Sequence, residues 1–207
     1  MSEKRTDKPV VAAFDFDGTL TRRDTMFPFL LHVVGWSVFI RHLFMLAPTL
    51  LGYGLGLIRN DIAKERVFTR FLADMRIVEL KLKAEQFSLL VLPKLLRPEA
   101  MQRFKWHKEQ RHRCVVISAS LALYVHHWAI NAGFDDVIAT HLDMRKDGSI
   151  TGNLSGGNCF GSEKVRRLEG LLESREHYIL YAYGDSRGDK ELMSFADHPY
   201  YRRFPKL

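Results

Sequence analysis

Apolar positions along this chain follow two rhythms. Short continuous apolar runs, each ending in polar residues, occur at 10–14 (VVAAF), 114–118 (CVVIS), 136–140 (DVIAT) and 178–184 (YILYAYG). Runs of this length, rich in β-branched and aromatic residues and lacking alternation, belong to strands covered on both faces, as in a parallel sheet. Between and after them, apolar residues return every three or four positions. That spacing predicts helices over 121–133, with Gly133 as C-cap, over 162–174, and from 185 onward. The Asp-Gly pair inside MRKDGSITG (144–152) predicts a hairpin. Strands alternating with helices define an α/β fold with a parallel sheet and right-handed crossovers.

The first two strands are separated by nearly a hundred residues, Asp24 to about Arg113. NDIAKERVFTRFLADM and VELKLKAEQFSLLVLPKLL within this stretch have helical spacing. One helix suffices for a βα connection, so the surplus reads as an inserted helical module. The expected organisation is an α/β core from 1–23 and 113–207, capped by a helical domain from 24–112. The cap would sit over the C-terminal edge of the sheet, where open α/β sheets bind ligands.

One part of the insertion is unusually apolar. From Met26 to Ile58 the only formal charge is Arg41. A membrane span needs about 20 apolar residues. Arg41 and His42 divide this stretch into two shorter runs, and Pro48 and three glycines weaken the second. The expectation is two helices joined near Arg41 and packed on each other and on the rest of the protein. Peripheral contact with a membrane surface through the cap is the competing reading.

Composition narrows the function classes. With 207 residues and 46% hydrophobic content, one domain plus an insertion can bury a core. The net charge of +7 suits anionic partners, but the basic residues are scattered and form no nucleic-acid motif, so no nucleic-acid partner is expected. Two cysteines, Cys114 and Cys159, make neither a disulfide framework nor a metal knuckle. The charged start, MSEKRTDKPVV, is not a secretory signal, so the expected location is cytoplasmic, with a peripheral position at the inner membrane face left open.

The candidate chemistry sits at strand ends. The first strand finishes in DFDGT, placing Asp15 and Asp17 one residue apart. Two carboxylates aimed at one point raise each other's pKa unless a cation lies between them, and a hard ion such as Mg²⁺ would serve. Gly18 allows a sharp turn and Thr19 adds a hydroxyl. The second strand delivers Ser118, suited to a phosphate oxygen or to an ordinary N-cap. The fourth leads to Asp185 and Asp189, which can meet a cation from one side of a helix start. Lys164 near a helix start could neutralise a phosphate. In the insertion, Arg66 and Arg70 are one turn apart and are candidates for charged substrate contacts. His107 and His112 are candidates for lining an entrance, while His126 and His127 read as helix-face or packing residues.

The ordered set DFDGT, VVIS, GSEKVRRL and GDSRGD resembles the four motifs of the haloacid dehalogenase superfamily, over the whole chain. The insertion directly after the first motif is similar to the phosphoserine-phosphatase-like branch, whose caps are helical. The resemblance implies that the α/β core is a Rossmann-like catalytic domain and that the protein is a Mg²⁺-dependent phosphomonoester phosphatase. Asp15 would be the nucleophile, Asp17 the general acid and base, and Thr19 and Ser118 would hold phosphoryl oxygens. Lys164 would offset charge; Asp15, the Asp17 carbonyl and Asp185 would hold Mg²⁺. Asp189 would anchor the metal's water shell or Lys164. Asp24 falls where that branch keeps a Glu for the substrate's amine. The sequence departs from the branch at Gly-Asp-Ser (184–186) and at Ala119-Ser120. Two substrate classes therefore stay open: a small phosphoserine-like molecule and an amphiphilic lipid phosphate of the phosphatidylglycerophosphate type. Phosphotransfer to an alcohol uses the same residues as hydrolysis, and a non-catalytic phosphate-binding module would keep the same fold.

Overall fold

The computed structural model describes residues 8–172 and 174–205. The charged start over 1–7 and the ends of the expected core and of the 162–174 helix fall partly outside these residues. Six strands form one sheet: β1 (Val10–Phe14), β2 (Arg113–Leu121), β3 (Asp136–Met144), β4 (Ile150–Ser155), β5 (Ile179–Gly184) and β6 (His198–Tyr201). Their order is β4-β3-β2-β1-β5-β6. All neighbours are parallel except β3 and β4, which form the antiparallel hairpin expected around Asp147-Gly148. β1 lies at the centre, flanked by β2 and β5, and all but the first of its residues are fully buried. This burial is why its sequence is continuously apolar. β6 escaped the sequence pattern because it is a four-residue edge strand containing Pro199, with little apolar signal.

The helices α1 (Met26–Val34), α2 (Trp36–Gly54), α3 (Asn60–Leu72), α4 (Ile77–Leu90) and α5 (Pro98–Glu109) lie between β1 and β2. The chain leaves for this insertion and returns from it side by side. Arg22 N donates to Leu95 O, and Arg97 N to Leu20 O, closing a narrow neck. α5 follows the neck and packs on the sheet layer, its Phe104 ring stacked on Phe134 and edge-on to Phe14. The helix that a boundary at 112 groups with the insertion therefore covers the sheet. The hairpin tip binds back to the insertion: Ile77 N donates to Gly148 O and Ile150 N to Met75 O.

The helical break in the apolar stretch differs from expectation. It falls at Gly35, whose φ of 75° no ordinary residue adopts readily, and α2 runs unbroken through Arg41 and Pro48. The expectation that these helices are packed away also fails on one side. Phe39 and Leu46 of α2 are buried, while Trp36, Ile40, Phe44 and Leu51 face solvent. Among the described residues no helix is long and apolar enough to cross a membrane.

After β2 come α6 (Ala122–Ala132), ended by Gly133 in the left-handed conformation as expected, α7 (Ser162–Leu171) and α8 (Lys190–Phe195). The last helix starts later than its sequence suggests. A 3₁₀ turn over Arg187–Asp189 intervenes, capped by Ser186.

Candidate active site

The three central strands end at one place, which brings Asp15 after β1, Ser118 on β2 and Asp185 after β5 to a common edge. Asp15 N donates to Tyr183 O, so this residue is held by the β1–β5 ladder itself. A wide turn over Phe16–Leu20 follows, with Gly18 at φ 78°. A Cβ on Gly18 would lie 2.3 Å from Asp185 Oδ2, so glycine there gives both the turn and the approach of Asp185.

Lys164 ties the site together. Its Nζ donates to Asp15 Oδ1 at 2.5 Å and to Asp189 Oδ1 at 2.6 Å, and all three side chains are at least nine-tenths buried. Asp189 uses its other oxygen for Ser186 N, Ser186 Oγ and Asp185 N. Of the two roles implied for Asp189, anchoring Lys164 is therefore the one on view. Burial pushes Asp189 up, but Lys164 and the Ser186 donors outweigh it and hold the carboxyl below its ordinary value. For Asp15 burial wins: its pKa is raised to about 7, against the opposing pull of Lys164. Lys164 itself is raised by the two carboxylates, which overcome its own desolvation.

Asp15, Asp185 and Asp189 each offer an oxygen within 4.8 Å of the others. Lys164 supplies one positive charge against these three carboxylates, and Asp185 too is raised by burial. An all-oxygen donor set with residual negative charge fits a hard divalent cation such as Mg²⁺. Thr19, expected to face a phosphoryl group, donates instead to Asp185 Oδ1 at 3.1 Å. The nearby carboxylate is the stronger acceptor for a buried hydroxyl.

Asp17 points elsewhere. One of its oxygens accepts from Thr25 N at 2.9 Å and Thr25 Oγ1 at 2.7 Å, and the other from Ser120 Oγ. Its side chain is thus no part of the carboxylate cluster, which leaves only its backbone for a metal. Burial, then the charge of Asp24, raise the Asp17 pKa to about 6. Ser118 is buried and its Oγ accepts from Ser120 N at 2.9 Å. Asp24 is exposed and accepts from Met26 N, at the first residue of α1, at 2.8 Å, while its charge reaches Asp17.

The insertion contributes a residue that sequence reasoning passed over. Lys64 of α3 donates its Nζ to Ala119 O at 2.9 Å, between Ser118 and Ser120. Burial lowers its pKa, opposed by Asp17 and Asp24. The signal was a lone lysine beside buried Ala63, Val67 and Phe68. Arg66 and Arg70, singled out from sequence, do not join the site. At 100° per residue they lie about 200° and 240° around α3 from Lys64. Arg70 donates to Met45 Sδ of α2, and both arginines line a surface groove with Leu46 and Thr49. His107 and His112 line no entrance either: they bond each other at 2.8 Å, and His107 bonds Tyr183 Oη behind the sheet. His127 bonds Ser88 Oγ at 2.7 Å, the packing role expected of it.

This fold and site define a class, and comparison with known proteins agrees. Residues 12–194 match the haloacid dehalogenase-like hydrolase family, and the chain belongs to it. Protein CicA of Caulobacter vibrioides is 34% identical over 206 residues, covering 99% of this chain and 90% of that one. A protein of unknown function from Bordetella pertussis Tohama I has the same fold, with TM-score 0.80, 25% identity, and coverage of 93% and 89%. A phosphoserine phosphohydrolase-like protein from Francisella tularensis aligns with TM-score 0.67, 17% identity, and coverage of 93% and 85%. A phosphoserine phosphatase solved as a phospho-aspartyl intermediate analogue aligns with TM-score 0.57, 19% identity, and coverage of 91% and 84%. In fold, the chain sits with the phosphoserine-phosphatase-like branch.

Proposed function

We propose that this hydrolase is a Mg²⁺-dependent phosphomonoester phosphatase working through an aspartyl-phosphate. The observation that carries the reading is Asp15, buried at the end of β1 and held at 2.5 Å by Lys164, whose other partner is Asp189. Lys164 fixes the Asp15 carboxylate in one orientation and partly neutralises it. Mg²⁺, held by Asp15, Asp185 and the Asp17 carbonyl, would offset charge on the phosphoryl oxygens. An Asp15 oxygen attacks phosphorus, the ester P–O bond breaks, and Asp17 gives its proton to the departing alkoxide. Asp17, now a carboxylate, takes a proton from water as that water attacks the phosphorus of the acyl phosphate; phosphate leaves and Asp15 is regenerated. A pKa of about 6 lets Asp17 serve in both directions near neutrality. Ser120 and Thr25 aim it, and α1–α4 act as the cap, with Lys64 placing a cation at the cap–core junction.

For the substrate, a phosphoserine-like small molecule is one reading. A lipid phosphate is the second, favoured by the exposed apolar face of α2. The core reaction is tested by Asp15→Asn assayed on an aryl phosphate with Mg²⁺. Loss of turnover is expected, and undiminished turnover overturns the reading. Free phosphate released without an alcohol acceptor identifies hydrolysis over phosphotransfer.

A further inference from the structure

We propose that the outward face of α2 is a docking surface for an anionic lipid bilayer. A helix apolar on every side belongs inside a core. α2 has its inner side there, through Phe39 and Leu46, and its outer side open. Trp36, Ile40, Phe44, Leu51 and Leu55 recur at three- to four-residue multiples and form one stripe. Phe44 is 82% exposed and Leu57, in the loop beyond, 79%. At 1.5 Å per residue α2 is about 28 Å long. Isolated exposed apolar residues need no explanation, but a continuous stripe of this length does.

Charge selects the partner. Residues 26–58 contain no Asp or Glu. Arg41 lies on the exposed side of α2, and Arg66 and Arg70 line the adjoining groove, where Arg70 reaches Met45 and the one acid, Glu65, accepts from Leu154 N. Apolar side chains flanked by arginines, with Trp36 at the start of the helix, match the acyl–headgroup boundary of an anionic membrane. Because no described helix is both long and apolar enough to span, α2 would lie in the plane of the surface. The docked end adjoins the active site. Asn60 Nδ2 donates to Tyr53 Oη and its Oδ1 accepts from Asn158 Nδ2, and Lys64 follows one turn later on α3. Docking would therefore bring the cap side of the site to the lipid surface.

The experiment is co-sedimentation of the whole chain with vesicles of phosphatidylcholine alone or mixed with phosphatidylglycerol, at low and high salt. Light scattering of the free protein runs in parallel. Binding to the mixed vesicles, weakened by salt, is expected. The double variant Phe44→Glu/Leu51→Glu should bind about a hundredfold less, through lost apolar burial and added charge. Its turnover of a soluble aryl phosphate should stay at the wild-type level, which also shows that it folds. Absence of binding to the mixed vesicles, or unchanged binding by the variant, overturns the proposal. So does a wild-type dimer that the variant dissolves, which would assign this face to a second copy. The readout is binding, so its failure is separate from any failure of the phosphatase reading.

Discussion

Replacing Lys164 by Met tests the electrostatic design of the site most directly. The substitution keeps an unbranched side chain and deletes the ammonium group shared by Asp15 at 2.5 Å and Asp189 at 2.6 Å. Removing one partner of a buried ion pair costs about 3–5 kcal/mol, because the remaining charge has neither water nor counter-charge. Here one deletion strands two carboxylates, so the upper end applies. In a chain of this size each kcal/mol moves Tm by about 2–4 °C. The expected loss is therefore about 10–20 °C near pH 8 with chelator present. The pH dependence has a definite sign. Burial already raises Asp15 to about 7 against the pull of Lys164, and Asp189 stays low only because Lys164 and Ser186 outweigh burial. Without the ammonium, both folded values rise. A carboxyl raised on folding contributes stability that is present at low pH and lost as pH climbs through its folded value. The gap between wild type and variant should accordingly narrow from about pH 8 to about pH 5.5. Thermal melts of both proteins in chelator at the two pH values measure it. A variant that melts with the wild type at the higher pH, or a gap that pH leaves unchanged, refutes the reasoning.

Two further outcomes follow from the cap side of the site. Asp24→Asn removes the charge that, after burial, does most to raise Asp17, so the Asp17 pKa falls. The alkaline limb of kcat/KM on an alkyl phosphate should move to lower pH; an unmoved limb would mean that Asp17 is not the titrating acid. Lys64→Met removes a half-buried cation next to Ala119 O, and kcat/KM should drop about tenfold with little change in Tm. A loss below about twofold would place Lys64 outside the reaction's charge balance.

Much of this architecture is written in local pattern. Strands covered on both faces are apolar along their buried stretch, so β1, β2 and β5 announce themselves, as does Gly133 at the end of α6, whereas β3 is buried only at Ala139 and Thr140 and shows only in its DVIAT start. The motif acids are legible because an acid ending such a strand is costly without a chemical use. β6 was not legible, since an edge strand with Pro199 carries neither apolar continuity nor a full set of backbone donors. Nor was the break at Gly35, where a backbone angle and not a charge ends the helix.

What the chain alone determined is which residue types are available at which strand ends; what only the tertiary structure decided is which of them meet. Strand order brings β1, β2 and β5 together, so Asp15, Asp189 and Lys164, separated by up to 174 residues in the chain, share two hydrogen bonds. The packing angle of α3 decides that Lys64 reaches the site while Arg66 and Arg70 face the other way. The same packing leaves one side of α2 covered and the other bare. Sequence periodicity measures how apolar a helix is, but whether a neighbour covers each face depends on three-dimensional placement.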